Sequence, residues 1–171
     1  MIVTVLGTGS NGGVPQWDCC CDNCARARTT PGRIRTRSSV AVSIDGGQQV
    51  LFDATPDLKF QLENAGLIPT PELAQHGRQN RIEAIFLTHG HGDHTVGVAE
   101  FSTGKSFSIP VYAPPDLIGF IFGSKGNSSF FGDIGRLARN YVKPMELEEG
   151  KMVEPLPGLK VTGFQIEHTD R

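Results

Sequence analysis

The chain has no run of apolar residues long enough to span a bilayer, so it contains no candidate membrane-spanning helix and no membrane partner is expected. It also lacks a charge excess of either sign: 16 Lys and Arg stand against 18 Asp and Glu, a formal net charge of −2. That balance provides no chain-wide basic field to attract nucleic acid. The first residues, Met1 to Gly7, have no basic start and no cleavage site, so they read as a strand and not as a signal peptide. A cytoplasmic protein is expected. No internal repeat or low-complexity linker stands out. What remains is a glycine-rich chain of 171 residues with 21 glycines, expected to form a single domain over 1–171 of mixed α/β class.

Histidine is scarce, at five residues, yet three of the five fall in one stretch, Thr88-His89-Gly90-His91-Gly92-Asp93-His94. This spacing does not suit a helix face, where ligands recur every three or four residues. It suits a loop leaving a strand, and Ile82 to Leu87 is a short apolar run of that kind. Gly90 and Gly92 let the backbone turn between the ligands, and Thr95 to Phe101 reads as the start of a helix. Three imidazoles and a carboxylate aimed at one point suit zinc, manganese or iron. The bland alternative is a polar, solvated turn.

The stretch resembles the HxHxDH signature of the metallo-β-lactamase fold, matched at His89, His91, Asp93 and His94. The resemblance implies an αββα sandwich with one or two catalytic metals at the sheet edges. It places His89 and His91 at one metal and Asp93 and His94 at the other. By the same resemblance His168, at the end of the alternating run Val161 to Glu167, is the third ligand of the first metal. Asp53, the last residue of the strand-like run Gln48 to Asp53, would support the metal loop from behind; a plain turn residue is its alternative.

All four cysteines lie in Cys19-Cys20-Cys21-Asp22-Asn23-Cys24. Cys19, Cys21 and Cys24 have the C-x-C-x-x-C spacing of a knuckle that wraps one structural zinc. Three thiolates are one ligand short of a closed tetrahedral site, and Cys20 points the wrong way to complete it. Reduced cysteines without metal are the alternative, and a redox pair lacks its usual context. Leu6-Gly7-Thr8-Gly9, Gly12-Gly13-Val14-Pro15 and the knuckle together resemble one branch of the superfamily. That branch holds the pyrroloquinoline quinone (PQQ) synthesis protein B group and the cyclic phosphodiesterase of phosphonate breakdown. Pro15-Gln16-Trp17 is nearer the first, and the intact HxHxDH nearer the second. The phosphodiesterase completes its cysteine site with a C-terminal histidine, for which this chain has no match. The glycine-rich loop 7–13 lacks the P-loop lysine-serine pair, so nucleotide binding is not expected.

Arg26, Arg28, Arg33, Arg35 and Arg37 form a local basic run, either a phosphate- or RNA-binding patch or, preferably, a solvated surface. Val40 to Ile44 and Gln48 to Asp53 read as strands about a turn at Asp45-Gly46-Gly47. Asp57 to Asn64 reads as a helix packing through Leu58, Phe60 and Leu62. Pro110 to Pro115 reads as a strand and Asp116 to Phe122 as a helix. Gly123 to Ser129 reads as a loop that could serve as a lid beside Phe130 and Phe131. Val153 to Leu156 and Leu159 to Ile166 read as two further strands. His76 reads as an exposed histidine.

In the resembled family a bridging aspartate and another histidine follow the position of His168. The chain is therefore expected to be the N-terminal part of a longer domain, with the sandwich incomplete at its C-terminus. The 171 residues alone are expected to have little activity. A homodimer is one way to cover an exposed sheet edge. For the intact protein the leading expectation is hydrolysis of a small phosphorylated ester, a phosphodiester above all, with Asp93 orienting or deprotonating a metal-activated water. The alternatives are a role in PQQ synthesis as an oxygen-using metalloprotein or carrier, a tRNA 3′-processing nuclease, and a zinc-binding module without activity.

Overall fold

Four short apolar stretches with strong β-formers come together as the centre of one sheet. The computed structural model describes residues 1–69, 80–103, 108–123 and 141–167. Its main sheet has six strands in the order β1 (Ile2–Gly7), β2 (Ser39–Ser43), β3 (Gln49–Phe52), β4 (Ile82–Phe86), β5 (Ile109–Ala113), β6 (Val142–Glu146). β1, β2 and β3 pair antiparallel, and β3 through β6 pair parallel. The hairpin between β2 and β3 turns at Gly46, φ 88, where Gly47 donates its N–H to Asp45 Oδ1 at 2.9 Å. Central strands of such a sheet are covered on both faces, which is why β3 and β4 read as near-continuous apolar runs.

The two faces carry separate cores. Ala41, Leu51, Ile85 and Val111 point to one side. There they meet Leu58 of α2 (Leu58–Asn64), Val98, and Leu117, Ile121 and Phe122 of α4 (Pro115–Phe122). Val42, Val50, Ala84 and Phe86 point to the other side, against Leu159, Val153, Leu156 and Val161 of an antiparallel hairpin, β7 (Met152–Leu156) with β8 (Leu159–Thr162). The layers thus run helix, sheet, second sheet. Among the described residues no helix joins the cluster on the hairpin side. On that face Val3 and Val5 of β1, opposite Val42 and Val40, remain 55% and 61% exposed, because the hairpin does not reach them.

Several elements differ from their sequence expectation. In α2, Phe60 is exposed and Gln61 takes the interior position with Leu58; positions 58 and 61 share a helical face, whereas 58 and 60 do not. Gln61 is tolerated there because it is fully paired. It accepts from Thr55 Oγ1 at 2.9 Å and donates to Arg37 O at 2.7 Å and Thr36 Oγ1 at 3.1 Å. β8 ends at Thr162, not Ile166; Phe164 and Ile166 beyond it are exposed. The helix after the histidine loop is a single turn, α3 (Gly92–Thr95), continued as a 3-10 helix over Val96–Thr103. Two elements carried no clear sequence signal: α1 (Asp22–Thr29), inside the arginine run, and β6, whose Pro144 is admissible because β6 lies at the sheet edge. His76, the loop 124–129, Phe130, Phe131 and His168 lie outside the described residues.

Candidate metal centres

Parallel pairing decides where the histidine loop sits. Phe52 of β3 lies opposite Phe86 of β4, and Phe86 opposite Tyr112 of β5. Their rings stack in that order, with centroids 5.4 Å and 4.7 Å apart, which locks the register at the carboxyl ends of the three strands. Asp53 and Thr88 therefore leave the same sheet edge side by side, although 35 residues separate them. The carboxyl edge of a parallel sheet is where ligands of such folds bind. Asp53 has φ 64, unusual for a residue with a side chain. Its N–H donates to Phe86 O at 2.8 Å and its carboxylate turns under the loop. The next residues dock the loop's far side: Ala54 N–H donates to His94 O and Gly97 N–H to Ala54 O, both at 2.8 Å. Gly97 has to be glycine, since a Cβ there would stand 2.1 Å from Thr55 O.

The hydrogen bonds place a proton on Nδ1 of two of the three rings. The Asp53 carboxylate only accepts, so the 2.7 Å contact with His94 Nδ1 is an Nδ1–H donation, leaving the His94 Nε2 lone pair outward. Thr88 donates its N–H to Asp53 Oδ1 at 2.8 Å, and its hydroxyl proton also goes to Asp53, whose oxygens stand 2.9 and 3.0 Å away. Thr88 Oγ1 must then accept from His89 Nδ1 at 2.9 Å, so His89 too presents an unprotonated Nε2. That Nε2 lies 3.1 Å from His91 Nδ1, and the His89 and His94 ring centroids are 4.1 Å apart. Asp53 thus sets both tautomers, one directly and one through Thr88.

Asp93 supplies the test of whether a cation fits. Its Oδ2 lies 3.2 Å from His94 Nε2, so with a neutral His94 a carboxylate lone pair faces an imidazole lone pair. Two acceptors at that range repel unless a proton or cation lies between them. The other oxygen, Oδ1, is buried with no hydrogen-bond partner. A buried, unpaired carboxylate oxygen costs several kcal/mol unless compensated. A divalent ion between Asp93 and His94 would satisfy both defects at once, whereas no three of His89, His91, Asp93 and His94 bring their ligating atoms within 4.8 Å of one another.

The cysteines form a second centre. Among the described residues, Cys19, Cys21 and Cys24 are the one set of three donors whose ligating atoms all lie within 4.8 Å of one another. Cys21 precedes the first turn of α1 and Cys24 is buried on it, accepting the Gln16 N–H at 3.5 Å. The Cys24 N–H, with the Cys19 and Cys24 thiols, lowers the Cys21 pKa to about 7. For Cys19 the pull of the Cys21 N–H is outweighed by thiol hydrogen bonding to Cys21 and Cys24, which raises its pKa. Cys20 is exposed and outside the set.

The arginine run, read as a solvated surface or anion patch, is largely occupied by the protein itself. Arg28 donates to Cys19 O and Gln16 O, Arg35 to Gly32 O and Ile34 O, and Arg26 to Asp22 O and Asn23 Oδ1. Arg37 pairs with Asp57 at 2.9 Å and donates to Asn11 O at 2.7 Å. Carbonyls are the main partners, so these side chains brace loops. The glycine-rich loop likewise packs closely on this segment: a Cβ on Gly9 would lie 2.8 Å from Arg35 O.

Comparison with known proteins agrees with this architecture. A profile described as the beta-lactamase superfamily domain matches residues 48–171. This chain belongs to the beta-lactamase superfamily. Its fold is that of the metallo-β-lactamases. Among superfamily members it is 36% identical over 169 residues to a coenzyme PQQ synthesis protein B of Methylorubrum extorquens, covering 97% of this chain and 52% of that protein. The crystal structure of Zn(2+)-bound PqqB from Methylobacterium extorquens superposes with a TM-score of 0.76 at 31% identity, covering 96% of this chain and 55% of the other. A diphosphatase of the PhnP family gives a TM-score of 0.67 at 27% identity, covering 92% and 54%. The chain spans about half the length of the curated relatives it matches. No helix of the described residues is long and apolar enough to cross a membrane.

Thr88, Gln61 and Gly97 were not singled out from sequence as site residues. Thr88 stands directly before the motif, and its place between a strand and the first histidine was the available signal. Gln61 and Gly97 act only through tertiary contact.

Proposed function

We propose that the whole protein takes part in the synthesis of coenzyme PQQ, using metal bound at the histidine loop, with His89 and His91 toward one ion and Asp93 and His94 toward another. A second zinc at Cys19, Cys21 and Cys24 would hold the N-terminal loop. The observation that carries the metal reading is the Asp93 carboxylate, with Oδ1 buried and unpartnered and Oδ2 3.2 Å from His94 Nε2. The likeness to PQQ synthesis protein B along 97% of the chain supports the biosynthetic role ahead of ester hydrolysis. When bound, a divalent metal polarises a ligated oxygen and makes its water a stronger acid. Asp53 and Thr88 keep the ligand nitrogens deprotonated toward the ion. Asp93, with its buried Oδ1, is the motif's carboxylate and would hold or orient a proton at the site. Zinc is the expected ion, with iron or manganese as alternatives that the donor set also accepts.

Hydrolysis of a small phosphoester or diphosphate is the second reading, favoured by the complete four-residue motif and the PhnP-family diphosphatase neighbour. The test is complementation of a bacterium lacking PQQ synthesis protein B with the full-length protein and its His91→Ala variant. Restored coenzyme with the wild type and none with the variant is expected. Failure to restore, together with metal-dependent cleavage of a diphosphate or phosphodiester by the same protein, would replace the first reading with the second.

A further inference from the structure

We infer that Arg28 is the positioning residue of the cysteine centre, holding Cys19 in place for the metal; this rests on the reading of Cys19, Cys21 and Cys24 as a zinc site. Two of the three sulfurs come with helix α1: Cys21 immediately precedes it and Cys24 lies in its first turn, so their separation follows from the helix itself. Cys19 has no such support. It lies on the loop before the helix, and its own N–H makes only a long bond, 3.2 Å, to Gln16 O. The Arg28 guanidinium closes that gap. From the last turn of α1 it reaches back to Cys19 O with Nη1 and to Gln16 O with Nη2, each at 2.7 Å.

Both nitrogens of one planar group are engaged, so the fork fixes the distance between two points of the loop as well as their approach to the helix. The same clamp sets Gln16, whose N–H points at Cys24 Sγ. A single side chain thus anchors the loop at Cys19 and again three residues before it. The guanidinium also places a positive charge beside a centre in which three thiolates on a divalent ion leave one negative charge. Arg26, two residues earlier on the same helix, donates its side-chain hydrogen bonds within α1, to Asp22 O and Asn23 Oδ1. It is the internal control.

The experiment uses the full-length protein loaded with cobalt(II), whose sulfur-to-metal charge-transfer absorption reports cysteine coordination apart from the histidine centre. Zinc affinity is then taken from displacement of that signal. Arg28→Gln is expected to weaken binding at the cysteines about 10- to 100-fold, the usual consequence of losing a support to a ligand. Arg28→Lys keeps the charge but not the fork, and is expected to recover only part of the loss. Arg26→Gln is expected to match wild type. Binding by Arg28→Gln within twofold of wild type, or an equal loss in Arg26→Gln, overturns the role of Arg28 alone. Absence of the thiolate signal in the wild type overturns the zinc site and this inference together.

Discussion

Replacing Asp53 with asparagine should disable the histidine centre without disturbing the sheet beneath it. Asparagine is nearly isosteric with aspartate and accepts the left-handed backbone found at this position, φ 64. It substitutes an NH2 for one oxygen, however, and so has one acceptor where two are needed. Four hydrogen-bond contacts converge on the carboxylate: Thr88 N to Oδ1, Thr88 Oγ1 to both oxygens, and His94 Nδ1 to Oδ2 at 2.7 Å. With the oxygen retained under Thr88, the new NH2 faces His94 Nδ1. Two donors cannot meet at that range, so His94 must shift its proton to Nε2, the nitrogen that faces Asp93. A metal would then have to displace that proton. Loss of a carboxylate supporting a ligand in this way costs about 10- to 100-fold in affinity, or about 1.4–2.7 kcal/mol. The assay is chelator competition for zinc at the histidine centre of the full-length protein, with the cysteines already loaded. An Asp53→Asn protein that binds zinc within twofold of wild type would refute the assignment of tautomers.

Further outcomes follow from the same geometry. His91→Ala should lose both metal and activity, measured as zinc stoichiometry and turnover; activity without metal would contradict the metal-centred reading. Gly97→Ala should destabilise the fold by about 2–3 kcal/mol, because the added methyl meets the Thr55 carbonyl at 2.1 Å and backbone has to move; urea unfolding reads this out, and a midpoint equal to wild type would show that the loop is not seated on Thr55. In metal-free protein the lowered Cys21 pKa makes alkylation at that residue rise through pH about 7, where an ordinary thiol would need a higher pH. The sign follows from thiolate being the reactive form, and zinc should suppress the reaction; mass-spectrometric labelling across pH distinguishes the cases. Phe60→Ser, at an exposed site, should change stability by no more than about 0.5 kcal/mol, and a larger loss would mean the side chain packs against something.

Much of this protein was written in its local sequence. The histidine loop, the cysteine spacing and the strands around Asp45 to Gly47 are legible because each depends on residues within a few positions of one another. Apolar runs of strand length, glycines where the chain must turn, and donors clustered on a loop need no partner from elsewhere to be recognised. The likeness to the superfamily was already visible in four residues, His89, His91, Asp93 and His94, because a signature of that kind lies within six consecutive positions.

Tertiary structure decided the rest. β6 contains Pro144 and Lys143 and looks unlike a strand until β5 offers an edge to pair with. Gln61 is buried where Phe60 was expected, since three partners from distant segments satisfy it while Phe60 turns outward. The arginines resemble an anion site in sequence, but folding brings carbonyls of separate loops within their reach, and Arg28 becomes a clamp on the cysteine loop. The alignment of Asp53 beneath Thr88 and His94 arises only from the parallel register of β3 and β4. Local sequence sets which donors are present; which nitrogen of His94 carries the proton depends on a carboxylate 41 residues away, brought there by the sheet.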